Sequence, residues 1–210
     1  MINIEEMKAK QARELELAEL ANKYLTIAKE NGIECDAICY GKSYLAKGKW
    51  HIGFHHTESV CKKIDAKALG LLLDVFAPTE KIKVSAGKGK EEQFEYRMDV
   101  HRGYHDRTTI LDVAWIHEDC EFSTAIEINE NNLDLMNFFK ETTRELTDSE
   151  VSAYLGAKTR WNYNTRNFFK FLTWNCGSIV HFQGGHHRQI CHSVIHQLAE
   201  VLKYNATFSE

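Results

Sequence analysis

Asp112 and Glu127 are the residues of this chain whose type and spacing best suit chemistry. Each lies inside an apolar run, Ile110-Leu111-Asp112-Val113 and Ala125-Ile126-Glu127-Ile128-Asn129, where a charge is costly unless something compensates it. Both runs alternate with the period of two that marks strands. Leu111, Val113 and Trp115 fall on one face and Asp112 and Ala114 on the other, while Phe122, Thr124, Ile126 and Ile128 oppose Ser123, Ala125, Glu127 and Asn129. The polar linker from His117 to Glu121 is short enough for a hairpin. Antiparallel pairing then brings both carboxylates to one face of one sheet, where they repel unless a cation or a donor lies between them. Mg²⁺ or Mn²⁺ suits such a place, because hard cations prefer carboxylate oxygens and keep several waters. Bound there, it would neutralise charge developing on a phosphodiester and acidify an attacking water. Asn129 would aim at the same water or phosphate, and Glu95 or Asp99 on the preceding strand would extend the site if register allows.

The elements that must position these residues follow from periodicity and punctuation. Residues 4–30 are rich in Ala, Leu, Glu and Lys and end at Asn31-Gly32, which predicts one long helix. Its apolar residues thicken toward the end, so it is read as packed in its second half and solvated at its start, with a dimerisation arm as the sharper alternative. Strands are expected over 33–40 and 49–55, then a helix over 66–76 with Asp65 as N-cap and Pro78 beyond its end. Residues 85–92 read as an exposed turn, and a strand follows in which Phe94, Tyr96, Met98 and Val100 alternate with charged residues. After the hairpin, helices are expected over 133–146, after Asp148-Ser149 and over 162–174, then a buried strand over 176–182 and a closing helix over 188–204. This order predicts an α+β or α/β fold, a mixed central sheet with helices on both faces.

The segment resembles the core of the PD-(D/E)XK nuclease superfamily, the restriction-endonuclease-like fold. In that family an acidic residue on one strand is followed, after a hairpin, by an acidic-X-Lys triplet on the next. Asp112 matches the first element and Glu127 the second, and the downstream helix–strand order, Asn167 to Leu172 then Ser178 to Phe182, is similar. The resemblance spans roughly residues 90–185. It implies a Mg²⁺- or Mn²⁺-dependent nuclease acting on DNA, with Asp112 and Glu127 as metal ligands, Asn129 positioning the water and Glu95 as a further ligand or base. It divides the chain into an accessory or dimerising segment, 1–57, and a nuclease-like core, 58–210. One departure matters: Asn129 stands where the family has lysine, and an amide offers no positive charge to the transition state. Losing one such contact costs on the order of 10²–10³ in rate. Lys140 and Lys170 are the replacements considered, and a catalytically inactive fold that binds nucleic acid or a protein, of a kind a phage or mobile element would encode, is the alternative.

Composition bounds the partners. The formal charge of −4 gives no global basic signature, so contact with DNA must use local charge. Lys88 and Lys90 in a Gly-rich turn, Arg107, and the basic–aromatic pair Arg160-Trp161 are the expected contacts. A protein partner and a homodimer are compatible with the sequence. No apolar run approaches a membrane span, residues 1–30 are too charged for a signal peptide, and six unpaired-looking cysteines suggest reduced thiols, so a cytoplasmic location is expected. A zinc reading of His186, His187, Cys191, His192 and His196 is disfavoured, because Cys191 shares a helix face with Ile195, Leu198 and Leu202. His51 and His55 lie about 13 Å apart along one strand, too far for one ion. Those histidines, with Cys35 and Cys39, are read as packing or surface residues.

Overall fold

The structure is a computed structural model that describes residues 4–56, 63–85, 91–102, 109–132, 134–135, 137–138, 143–145, 172–174, 182–183, 187–189 and 192–207. A 27-residue helix, α1 (Ile4–Glu30), leads into a hairpin of β1 (Asp36–Lys42) and β2 (Trp50–His55). Helix α2 (Ala66–Val75) follows, capped as its sequence predicts: Asp65 accepts a 2.6 Å hydrogen bond from the Ala68 N–H. Strands β3 (Ile82–Ser85) and β4 (Glu91–Phe94) form a separate antiparallel pair. Then come β5 (Tyr96–Arg102), β6 (Thr109–His117) and β7 (Cys120–Ile128), a 3₁₀ turn over Glu130–Asn132, and the short strands β8 (Thr143–Glu145), β9 (Leu172–Trp174), β10 (Phe182–Gln183) and β11 (His187–Gln189). Helix α3 (His192–Thr207) is the last element.

The main sheet is mixed, in the order β1-β2-β7-β6-β5, with β11 and β10 extending its β5 edge. Among the described strands the parallel pairing is that of β2 with β7, Trp50 opposite Cys120 and Gly53 opposite Ser123. The hairpin from the first 57 residues is therefore built into the same sheet as Asp112 and Glu127. Where β2 departs, Ile64 takes over the β7 edge: its N–H donates to the Ala125 carbonyl at 2.9 Å, in a parallel bridge to Ile126.

The alternation of β6 and β7 is reproduced. Leu111, Val113, Trp115, Phe122 and Ile126 are buried on one face, while Asp112, Ala114, Ser123, Ala125 and Glu127 are half-buried on the other. The buried face carries the core. Tyr24 and Ala28 of α1, Leu69, Leu72 and Leu73 of α2, Phe76 and Leu198 and Leu202 of α3 all pack into it. Trp115 sits at its centre, where its indole N–H donates to the Phe76 carbonyl at 2.7 Å and so satisfies the one polar atom buried with the ring. Helix α1 buries only Ala21, Tyr24 and Ala28, leaving its charged first half in solvent.

Helices α1, α2 and α3 all pack on this one face. Leu135 and Phe138, in the helix expected to begin at 133, are helical and buried in the same core. The helix expected over 133–146 gives way to β8 at Thr143–Glu145, and the one expected over 162–174 to β9 at Leu172–Trp174, the two paired antiparallel. The physical reason is composition: β-branched Thr143 and Thr173 and aromatic Trp174 lose less in a strand than in a helix. Likewise the closing helix starts at His192 rather than 188, because His187–Gln189 pairs with the β5 edge. The expected helix after Asp148 and the strand over 176–181 lie outside the described residues.

Candidate functional site

The site is positioned by the register of three strands. Asp112 faces Ala125 across β6–β7, and Glu127 faces Ile110. Opposed residues share a face, so Asp112 and Glu127 are diagonal neighbours on the polar side of the sheet, roughly 7 Å apart. On the other flank Asp99 is the register partner of Asp112. The hairpin that fixes this register turns in two residues, with His117 opposite Cys120 and Glu118 in the left-handed region at φ 52°. That turn is pinned from outside, because the Glu118 N–H donates to Thr79 Oγ1 at 2.7 Å and Lys49 Nζ donates to the Glu118 carbonyl at 2.8 Å.

Glu127 has a partner that the sequence did not reveal. Lys63 Nζ lies 3.2 Å from Glu127 Oε2, and the lysine side chain is only 9% exposed. Lys63 reaches it because Ile64 is bridged to Ile126 on the β7 edge, so the chain just before α2 runs alongside Glu127. No local signal marks Lys63; the contact spans 64 residues and follows only from the register. Lys63 thus sets an ammonium beside Glu127. Lys140 and Lys170, the replacements considered from the sequence, lie outside the described residues.

Asn129 lies one residue past the end of β7 and is occupied by the turn that follows. Its Oδ1 accepts from the Asn131 N–H at 2.9 Å, its own N–H donates to Asn132 Oδ1 at 2.8 Å, and Asn132 Nδ2 donates to the Glu127 carbonyl at 2.6 Å. These bonds brace the strand end that holds Glu127. Glu95 is not brought to the pair: it sits exposed between β4 and β5, four residues from Asp99, with Oε2 3.9 Å from His196 Nδ1 of α3. Lys88, Lys90, Arg107, Arg160 and Trp161 lie outside the described residues, as do Cys191, His181 and His186.

Two half-buried carboxylates open to water fit the way Mg²⁺ is usually held, by one or two carboxylates completed by water and substrate phosphate. They do not make a closed cage, and among the described residues no group of three His, Cys, Asp or Glu could hold a metal. The thiols do not compete for one: burial pushes Cys35 up to about 11 and raises Cys39 and Cys120 as well, which suits packing residues. His51, read from the sequence as a packing or surface residue, lies on the polar face with Nε2 2.7 Å from Ser123 Oγ. Beside it Glu121 is buried and accepts a hydrogen bond from the Ser43 hydroxyl.

Among the described residues no helix is long and apolar enough to cross a membrane. No protein-family model, curated protein or solved structure matches the chain.

Proposed function

We propose that the protein is a Mg²⁺- or Mn²⁺-dependent phosphodiesterase acting on DNA, with its site on the polar face of the sheet. The observation that carries this reading is the juxtaposition of Asp112, Glu127 and the Lys63 ammonium. Asp112 and Glu127 would hold the cation, which when bound supplies charge neutralisation and an acidified water. Lys63 orients the Glu127 carboxylate and brings a fixed positive charge to the place where a phosphoryl oxygen gains negative charge. Asn129 acts on the site by bracing the end of β7. The half-buried face strengthens each of these electrostatic contacts relative to open water.

A second reading is favoured by the same ion pair. Lys63 already neutralises Glu127 without a cation, as would suit a catalytically silent fold that binds nucleic acid or a protein. The deciding assay incubates supercoiled plasmid, linear duplex and single-stranded DNA with Mg²⁺ or Mn²⁺, using wild type, Asp112→Asn and Glu127→Gln. The phosphodiesterase reading expects metal-dependent cleavage reduced on the order of 10²–10³ in each variant. Intact substrates under all conditions favour the binding-only reading, and cleavage that survives both substitutions removes the site.

A further inference from the structure

Residues 37–56 contain Lys42, Lys47 and Lys49 and no carboxylate, in a chain whose formal charge is −4. The same stretch presents aromatic rings to water: Tyr44 is fully exposed and Tyr40 is 53% exposed, with Leu45 beside them. An exposed aromatic on a floppy tip would mean little, but this tip is ordered. The Ser43 N–H donates to the Lys49 carbonyl at 2.8 Å, the Lys49 N–H to the Ala46 carbonyl at 3.0 Å, and the Ala46 N–H to Ser43 Oγ at 2.7 Å. The Ser43 hydroxyl in turn is tied to buried Glu121. Tyr40 rests over Gly53, where any Cβ would collide with its ring, and lies 5.1 Å from the His51 ring. Lys42 Nζ sits 3.5 Å above the Trp50 ring, on the other face of the hairpin from Tyr40, and Lys49 is paired with Glu80, so Lys47 supplies the outward charge.

We propose that the β1–β2 hairpin binds single-stranded nucleic acid, stacking bases on Tyr44 and Tyr40 while Lys47 meets the phosphates. Rings with a neighbouring cationic track are the means by which proteins hold single strands, since every base offers a π face. Lys47 and the lack of acid over 37–56 suit a polyanion, the carboxylates that the hairpin does meet, Glu80 and Glu121, being held by Lys49 and Ser43. Tyr40, His51 and Ser123 follow one another across the polar face of the sheet that also carries Asp112 and Glu127. From β1 to β6 is three strand spacings, about 14 Å, so a strand anchored at Tyr40 passes onto the carboxylates. The proposal goes beyond the phosphodiesterase reading and needs no metal.

Fluorescence anisotropy in EDTA, with labelled oligo-dT and oligo-U of about 20 nucleotides and a duplex of equal length, tests it at several salt concentrations. The expected result is tighter binding of either single strand than of duplex, the ratio of the two identifying the polymer. Tyr44→Ala weakens it roughly tenfold, and Tyr44→Phe restores it. Lys47→Gln lowers the salt slope by about 0.7. Tyr44 and Lys47 project into solvent, so these variants keep the fold, which thermal melting confirms. Equal or tighter duplex binding, no binding at low salt, or affinity and slope unchanged in the variants overturns the proposal. Binding is read in EDTA and cleavage only with Mg²⁺, so loss of cleavage and loss of binding are separable.

Discussion

Replacing Lys63 with Met isolates the ion pair on which the site depends. Lys63 Nζ lies 3.2 Å from Glu127 Oε2, with the lysine side chain 9% exposed and the glutamate 35% exposed. At that separation two unit charges attract by about 5 kcal/mol for an effective dielectric near 20. Desolvation of the ammonium and solvent around Glu127 offset most of this. The net coupling is about 1–2 kcal/mol, above an exposed pair and below a buried one. Met keeps the apolar stem and removes only the charge. Lys63→Met therefore costs about 2 kcal/mol in EDTA, the lost coupling together with Glu127–Asp112 repulsion, or roughly 4–8 °C in Tm for a domain of this size. Removing the ammonium leaves the carboxylates to a cation, so Mg²⁺ stabilises the variant more than wild type. A site with Kd on the order of 1 mM adds about 1.4 kcal/mol at about 10 mM. Denaturant unfolding of wild type, Lys63→Met, Glu127→Gln and the double variant, each in EDTA and in Mg²⁺, reads both effects. The reasoning fails if the single effects add to within about 0.5 kcal/mol and Mg²⁺ shifts neither protein.

Two further perturbations test the frame around the site. Asp65→Ala removes the oxygen that caps α2 and lowers stability by about 1 kcal/mol, read as a lower urea midpoint with an unchanged m value; an unchanged midpoint contradicts the cap. The Cys35 thiol, pushed from its ordinary 9.0 up to about 11 mainly by burial and secondarily by Asp36, links stability to alkaline pH. Between pH 9 and 11 the unfolded chain loses this proton first, so the contribution is complete below 9 and lost as pH rises through 11, about 3 kcal/mol in all. Cys35→Ala flattens that part of the pH–stability curve, and an equally steep loss in the variant assigns it elsewhere.

Strand identity on β6 and β7 was legible because a period of two needs only local sequence, and so was the Asp65 cap, which is set by one side chain and one N–H three residues on. The placement of Asp112 and Glu127 on a common face followed from the same periodicity plus a short turn. What could not be read were contacts made by register across the chain. Lys63 meets Glu127, and His51 meets Ser123, only because β2 and then Ile64 lie along β7. Alternation carried on to Asn129 runs one residue beyond the strand, because the Asx-type bonds of Asn129 and Asn132 end β7 there. At 143–145 and 172–174 the apolar spacing suggested helix, but β-branched and aromatic residues that can pair across strands decided for β.

The parallel contact between β2 and β7 also sets an order of events during synthesis. Trp50 cannot meet Cys120 until the later residue has left the ribosome, and at about 5–20 residues per second the stretch from Trp50 to Cys120 takes roughly 4–14 s. Through that interval β1 and β2 have each other but no sheet, and the inner edge of β2 presents unpaired N–H and carbonyl groups. Once β7 has emerged, the β6–β7 hairpin, whose partners are local, offers the edge onto which β2 docks. Chains stalled before residue 120 are thus the ones exposed to strand-edge aggregation, and slowing synthesis over that interval raises the insoluble fraction.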